Sequence, residues 1–556
     1  MNYVVLLVLL PLTGAFLALV GKLTKRQTMF SIFATLPFAG MALTLVLTAP
    51  AVFSGAELTH NLGNWPEPVG IALHMNGLAW ASSVLVVLIA VVVSLASFSD
   101  PRYRTHYFFF LQLLVAGMEI VILTGDLFTM FVGFEIIAIS AYVLIAFDQT
   151  DEGLLASLKY LLLSSVGILF FLFGIFLIYR DFGSLALRDI AANAASGRLL
   201  ESTSIHFAVA ALCVGIGVRT AFIPFHTWLP EAHAYAPHPV SAMLSGALIK
   251  VSLFAMVRIL IVFSADYLNE LLVWIGASTA LLAVIWALAQ SDAKRLLAYH
   301  SISQMGYVLA AVGAASAISV TAAFSHALHH AIFKSLLFIV AGTAIHMTGS
   351  RNVYEMTPIG RRAPILAICF LVGALSISGI PPFNGFASKQ LISLALDHHP
   401  AYTLLWVTSI GTTASFIKIS RIVIPVPGIR RQTGERGVEP GHRAKAGFIV
   451  HLPVILLGLL SLATGIFARP VSRALHRLLT GTESTTPNPL PAQFFAPSKL
   501  LATVPILALG VVLYLIVVTK PGRRAAHAIE SVAPELRTVL LFFVLGLGLF
   551  SLVAYL

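Results

Sequence analysis

His326, His330 and Lys334 follow one another at four-residue spacing inside an apolar run, with His329 beside them. On a helix, positions i, i+4 and i+8 share a face, so the three form a ladder of exchangeable protons in a hydrophobic segment. Imidazole gains and loses a proton near neutral pH, which suits proton hopping through intervening water. Two other readings stand beside this one. Histidines four apart can chelate a metal, although no carboxylate or cysteine lies nearby in sequence. Buried histidines can also serve packing alone, satisfied by neighbouring helices. Further charges interrupt other apolar runs: Glu119, Glu135, Arg219, Lys250 and Lys389, together with Lys159, Arg258, Lys418 and Arg421. A charge at mid-membrane costs about 2.5–3.5 kcal/mol, so it is expected to face protein or water and to have a function. Lys159, Arg258, Lys418 and Arg421 stand within a turn or two of segment ends, where long stems snorkel to the interface. Glu135, Lys250, Lys334 and Lys389 lie deeper or beside backbone breaks and are the functional candidates.

Those breaks fall in two segments, Gly217 to His233 with Pro224, and Ser378 to Lys389 with Pro381 and Pro382. Proline removes a helix hydrogen bond and clashes with the preceding turn. Non-helical backbone at membrane depth persists only where it is buried in protein or lines a wet cavity. Interruptions at corresponding places in two halves point to an ion site in a transporter built from repeats.

The elements that must carry these residues follow from composition. Of 556 residues, 58% are apolar and 10% charged, against about 25% charge in a soluble domain. Sixteen runs approach the roughly 20 residues that cross a bilayer, the third over 71–98, the fifteenth over 499–519 and the last over 537–556. The fold expected is an all-α polytopic membrane protein of about 14–16 transmembrane helices, with two inverted five-helix repeats, each holding a broken helix. Residues 1–105 supply the first three helices, 106–263 the first repeat, 271–424 the second, and 447–556 the C-terminal helices. The run from Asn2 to Val20 lacks a positive leader and a small-residue cleavage site, and reads as an uncleaved first helix.

The net charge of +11 is a topology signal rather than a nucleic-acid signature. With the N-terminus outside, 19 basic loop residues fall on one side, among them the stretch Arg430 to Lys445, and 7 on the other. The excess marks the cytoplasmic face. Two cysteines, Cys213 and Cys369, leave no set for an iron–sulfur cluster or Cys-rich zinc site, and no glycine-rich nucleotide motif occurs. No cofactor and no catalytic centre are expected in this chain.

Four stretches then carry a resemblance: Thr124 to Glu135, Pro224 to Pro237, Asp292 to Tyr307, and Gly379 to Lys389. Over roughly residues 60–425 the chain resembles the antiporter-like subunits of the complex I superfamily. That family spans membrane-arm subunits of respiratory complex I, large subunits of Mrp cation/proton antiporters and membrane-bound hydrogenases; stretches 63–71 and 183–187 are most similar to the Mrp D and hydrogenase branch. The resemblance implies that Glu135 is the family's helix-five glutamate, Lys250 its helix-eight lysine and Lys389 its helix-twelve lysine. It implies too that His326, His329, His330 and Lys334 connect two half-channels through a hydrated axis. One position departs: Arg219 stands where the family has a lysine paired with the glutamate. Arginine stays protonated, so it holds Glu135 ionised without relaying a proton. Three consequences stay open: Arg219 as a fixed charge, transport through the second half alone, or loss of pumping.

The function expected is proton translocation along these charges within a multisubunit redox-driven pump or Mrp-type antiporter, with Na⁺ as the second ion in question. The alternative is a non-pumping membrane anchor. Expected partners are other membrane subunits, a peripheral redox arm where the complex is an oxidoreductase, and lipid, in a prokaryotic inner or plasma membrane. The runs over 499–519 and 537–556 lie outside the family core, and packing on a partner subunit is the plain expectation for them.

Overall fold

Membrane-crossing segments must satisfy every backbone polar group internally, and in this chain they do so as helices. The computed structural model describes residues 3–23, 27–100, 102–195, 202–427, 448–481, 490–491, 493–531 and isolated positions 545, 546, 548 and 552. The stretch Arg430 to Lys445, Lys25, Arg26, Arg198 and nearly all of the run 537–556 lie outside the described residues.

In chain order the elements are α1 (Leu6–Leu23), α2 (Gln27–Phe53), β1 (Leu58–Asn61), β2 (Ala72–Met75), α3 (Gly77–Ser97), α4 (Thr105–Leu123), α5 (Leu127–Ile145), α6 (Asp151–Phe182), α7 (Leu187–Ala195), α8 (Thr203–Thr220), α9 (Leu229–Tyr235), α10 (His238–Met243) and α11 (Ile249–Val262). They continue as α12 (Asn269–Ala289), α13 (Ala293–Gly313), α14 (Ser319–Thr348), α15 (Pro364–Ser378), α16 (Asn384–Ala395), α17 (Tyr402–Ile419), α18 (Phe448–Ile466), α19 (Ala468–Thr480), α20 (Pro497–Val517) and α21 (Lys520–Glu530). Among the described residues twelve helical stretches are long and apolar enough to cross a membrane. The remaining expected spans within the described residues are helical as well: α13, the broken pair α15–α16, and α17. The run starting at 71 begins later than expected, because Ala72–Met75 pairs with Leu58–Asn61 as an antiparallel hairpin; Asn76 then caps α3 by accepting from the Ala79 amide at 2.9 Å.

The same contacts recur along the chain. Asp126 caps α5, accepting from the Thr129 amide at 2.7 Å, and Asp292 caps α13, accepting from Lys294 and Arg295 at 2.8 and 2.9 Å. Asp126 bridges Ala186, and Asp292 bridges Asn352. Gly183 ends α6 and Gly349 ends α14, both left-handed at φ 66° and 71°, a conformation open to glycine at little cost. Each pair is separated by 166 residues. The breaks recur 158 residues apart: α8 stops at left-handed Ala221 and α15 at left-handed Gly379, and each is followed three residues later by a proline after a cis peptide, Pro224 and Pro382. Five crossings separate equivalent helices, and an odd number inverts the second set relative to the first.

Close helix approach uses small residues, as membrane interfaces do. At α12–α13, a Cβ on Gly276 would lie 2.7 Å from the Gly306 carbonyl oxygen, so neither position accepts a larger side chain.

Candidate functional site

The breaks expose carbonyls that a helix would have paired, and each is answered by a named side chain. In the first, the Trp228 indole donates to the Val218 carbonyl at 2.7 Å while its ring stacks on Tyr160, centroids 4.1 Å apart. In the second, Lys389 donates to the Ile377 carbonyl at 2.9 Å and its ammonium lies 5.3 Å from the Tyr307 ring centroid. Lys389 therefore sits at the break itself, held by backbone and by a π face, with no carboxylate in contact among the described residues.

Arg219, buried at the end of α8, donates from Nη2 to Glu135 Oε1 at 3.2 Å and lies 5.0 Å over the Phe134 ring. Its Nη1 has no hydrogen-bond partner among the described residues. Glu135 lies toward the outer edge of α5, with 38% of its side chain exposed. The ion pair that the sequence suggests is thus formed, half inside and half at the surface.

Lys250 follows a π-helical turn, Leu244–Leu248, and donates back to the Ser245 carbonyl within it. Single π turns inside α-helices recur at functional sites. Lys334 on α14 donates to the Leu297 carbonyl at 2.5 Å. Lys250, Lys334, His330 and His233 lie within electrostatic range of one another. Along α14 the ladder continues to His326, whose ring lies parallel to His330 with centroids 6.5 Å apart. His326 bonds Ser388 Oγ at 2.9 Å through Nδ1 and Gln304 Oε1 at 3.0 Å through Nε2. With both ring nitrogens engaged, His326 does not have a lone pair turned toward His330 for chelation. Among the described residues no group of three or more His, Cys, Asp or Glu is arranged around a metal position.

Several polar residues here were missed in the sequence. His300, Gln304 and Tyr307 line one face of α13 at i, i+4 and i+7; Tyr307 packs 5.8 Å from His326 and donates to the Leu405 carbonyl at 2.6 Å. It thereby touches both His326 and Lys389. His233, stacked on Phe338 at 4.9 Å, lies beside Lys294, Lys334 and Lys250. The signal was present in stretches already singled out, since the same helical spacing that picks out α14 also aligns these positions on α13.

Three of the four cations expected to snorkel bond neighbouring carbonyls instead. Arg258 donates to the carbonyls of Val121, Ile122 and Thr124 at the end of α4. Lys418 donates to those of Leu288 and Gln290 at the end of α12, 2.6 and 2.9 Å away. Arg421 donates to the Tyr354 carbonyl at 3.3 Å. Lys159 keeps a partly exposed head, paired with Glu231 at 2.7 Å. Buried Glu119 accepts from the Ser83 hydroxyl at 2.6 Å.

Cavities adjoin the axis at both ends. One of about 520 Å³ is lined by Arg102, Asp148, His238, Lys294, His346 and Arg351, from connections and helix ends on one side of the bundle. Another, of about 280 Å³, adjoins Lys389 and is closed by α20; by the alternation of crossings it lies toward the other side. At the first, Arg102 bonds Asp100 at 2.7 Å and Asp148 at 3.3 Å. Burial works against the Asp100 carboxylate, but the bonds and charge of Arg102 outweigh it and hold its pKa below the usual value. Burial raises that of Asp148, which Arg102 only partly offsets.

Residues 124–417 match the family described as NADH:quinone oxidoreductase/Mrp antiporter, transmembrane. The chain belongs to this family. It is 30% identical over 479 residues to the D component of the Na(+)/H(+) antiporter of Alkalihalophilus pseudofirmus, covering 84% of this chain and 95% of that protein. It is 31% identical over 490 residues to the N component of the NADH-quinone oxidoreductase of Desulforudis audaxviator, covering 83% and 95%. Its fold matches one component of the Mrp complex of Dietzia sp. DQ12-45-1b, TM-score 0.77 at 24% identity over 91% of this chain and 99% of that one. It also matches one component of an archaeal membrane-bound sulfane sulfur reductase, TM-score 0.77 at 26% identity over 92% and 100%. As a member of this NADH:quinone oxidoreductase/Mrp family the chain is an integral membrane protein, and its charged axis sits within the matched region.

Proposed function

We propose that this chain is the proton-translocating, antiporter-like subunit of a multisubunit membrane complex. Protons enter at the cavity beside Asp148, pass His233 to Lys250 and Lys334, run through His330, His326 and Tyr307, and leave from Lys389. The basic loop residues favour a cytoplasmic inlet and an N-terminus outside. Glu135 and Arg219 form the fixed electrostatic end of the axis, against which Lys250 responds. His329, turned toward the Asn384 backbone, borders the second break.

The observation that carries this reading is the state of the axis histidines. Both ring nitrogens of His300 and His330 are buried without a hydrogen-bond partner among the described residues, and His233 reaches only the Ser241 backbone. Buried polar groups without protein partners are those that internal water satisfies, and leaving one dry costs about 1–3 kcal/mol. A row of such groups between two cavities supports a hydrated relay rather than isolated anchors.

The relatives are named as components of multisubunit assemblies, which supports further membrane subunits as partners; a peripheral redox arm joins them in this proposal if the complex is an oxidoreductase. Redox groups are assigned to those partners and none to this chain, whose two cysteines are buried and free. The second reading, a non-pumping anchor, is favoured by Arg219 alone, because a guanidinium does not hand on its proton.

The test is proton flux in proteoliposomes of the assembled complex with an internal pH dye, with and without Na⁺, comparing the parent with Arg219→Lys. Flux in the parent that depends on Lys250 and Lys389 is expected. Absence of proton movement in both proteins would exclude transport in favour of the anchor.

A further inference from the structure

Beyond Lys389 the polar route continues into the cavity between α16, α17 and α20, and its wall is unbalanced in charge. Lys389 and the exposed Lys499 both line it, Ser393, Tyr402 and Trp406 add donor groups, and among the described residues no aspartate or glutamate contributes. Among the described residues the Lys499 ammonium has no ion pair, and the Trp406 indole N–H has no hydrogen-bond partner. Charges withdrawn from water are normally paired, yet the half-buried Lys389 has among the described residues only a carbonyl and the Tyr307 ring. Two like charges on one small cavity disfavour each other, and also disfavour any metal cation entering it. An anion relieves both penalties at once. The wall that completes this arrangement is α20, for which the family resemblance offers no role and which packs on α17 of its own chain.

We propose that this cavity binds a small monovalent anion, chloride in ordinary salt, as the mobile countercharge of the Lys389 ammonium. The proposal rests on the reading of Lys389 as the last proton carrier. When a proton reaches Lys389 the anion enters beside it, and when the proton leaves to solvent the anion leaves too. No bond is made other than the N–H bond already transferred. Lys499 draws the anion to the mouth and keeps Na⁺ out, so this end of the route passes protons without metal cations. A lipid phosphodiester leaning over Lys499 presents the same charge, and the experiment separates the two sources.

Trp406 reports occupancy directly, because iodide quenches indole fluorescence on contact. The full chain is reconstituted in phosphatidylcholine vesicles, and the Trp406 signal is obtained as the difference between the parent and Trp406→Phe. Saturable quenching by iodide, relieved by chloride but not by gluconate, is expected. In Lys499→Glu the apparent iodide affinity should fall about tenfold or more, while Lys499→Arg retains it. Quenching that rises linearly with iodide and is equal in parent and Lys499→Glu overturns the proposal. So does protection that follows added phosphatidylglycerol and ignores chloride, which identifies a head group instead. Since this measurement needs no proton flux, a parent that fails to pump while showing saturable quenching sinks the transport reading and leaves the anion site standing.

Discussion

Glu231 and Lys389 each stand seven residues beyond a break proline, Pro224 and Pro382, one in each set of five helices, with opposite charge. The acid is met by Lys159 at 2.7 Å; the lysine is met by the carbonyl of Ile377 at the break. A repeated scaffold thus carries a closed ion pair in one copy and an unpaired ammonium in the other, and only the second is free to change charge without breaking a partner.

Glu231→Gln is accordingly expected to be mild. The pair is partly exposed, 43% and 29% by side chain, and such pairs contribute about 0–1 kcal/mol. Thermal unfolding of the reconstituted chain should shift by no more than a few degrees, with proton flux within about twofold of the parent.

Lys389→Ala and Lys250→Ala should each reduce proton flux by about tenfold or more, a loss typical of removing one group that exchanges protons. Assembly, followed by co-purification of the partner subunits, should stay intact. An anchor predicts the reverse pattern, with flux preserved and assembly disturbed. Removing Lys389 also strands the Ile377 carbonyl, so Lys389→Arg supplies the control: it keeps that hydrogen bond but not the exchangeable proton.

Hydrophobic length and charge asymmetry made the membrane fold legible, because a bilayer leaves few solutions to a chain with this composition. The ladder on α14 was legible for the same reason that the one on α13 was overlooked. Three titratable groups in register stand out in apolar sequence, whereas α13 offers the single imidazole of His300 beside Gln304 and Tyr307, which look like ordinary interior residues until their partners are known. Depth along a helix said that Arg258 and Lys418 lie near segment ends. It did not say whether the nearest relief for the charge was water or a neighbour's terminal carbonyls, since that depends on which helix packs alongside. The last run, 537–556, lies outside the described residues apart from a few positions.

Arg258 and Lys418 perform equivalent work 160 residues apart, each donating to the carbonyls that end the first helix of its set. Those carbonyls have no intrahelical partner. Arg258→Met and Lys418→Met should therefore lower stability by about 2–4 kcal/mol, the cost of stranding two or three buried acceptors less their partial relaxation. Equilibrium unfolding in mixed micelles reads the effect. A snorkelling residue would give nearly none, and flux per correctly folded molecule should not change.

Asp100 and Asp148 share one guanidinium, at 2.7 and 3.3 Å, and respond to pH in opposite senses. For Asp100 the folded pKa is below the unfolded one, so its stabilisation is full above the ordinary carboxylate range near 4 and disappears as pH falls through the lowered folded value. For Asp148 the folded pKa is above the unfolded one, so ionisation opposes folding, and the penalty develops as pH rises from about 4 through the raised value. Asp148→Asn should thus raise the unfolding temperature at neutral pH and lose that advantage near pH 3, whereas Asp100→Asn should lower it at neutral pH and converge with the parent in acid. Unfolding scans of parent and both variants between pH 3 and 8 measure the two slopes. If Asp148→Asn destabilised at neutral pH, Arg102 would be holding both carboxylates ionised equally, and the inlet cavity would lack a carboxyl poised to take up a proton.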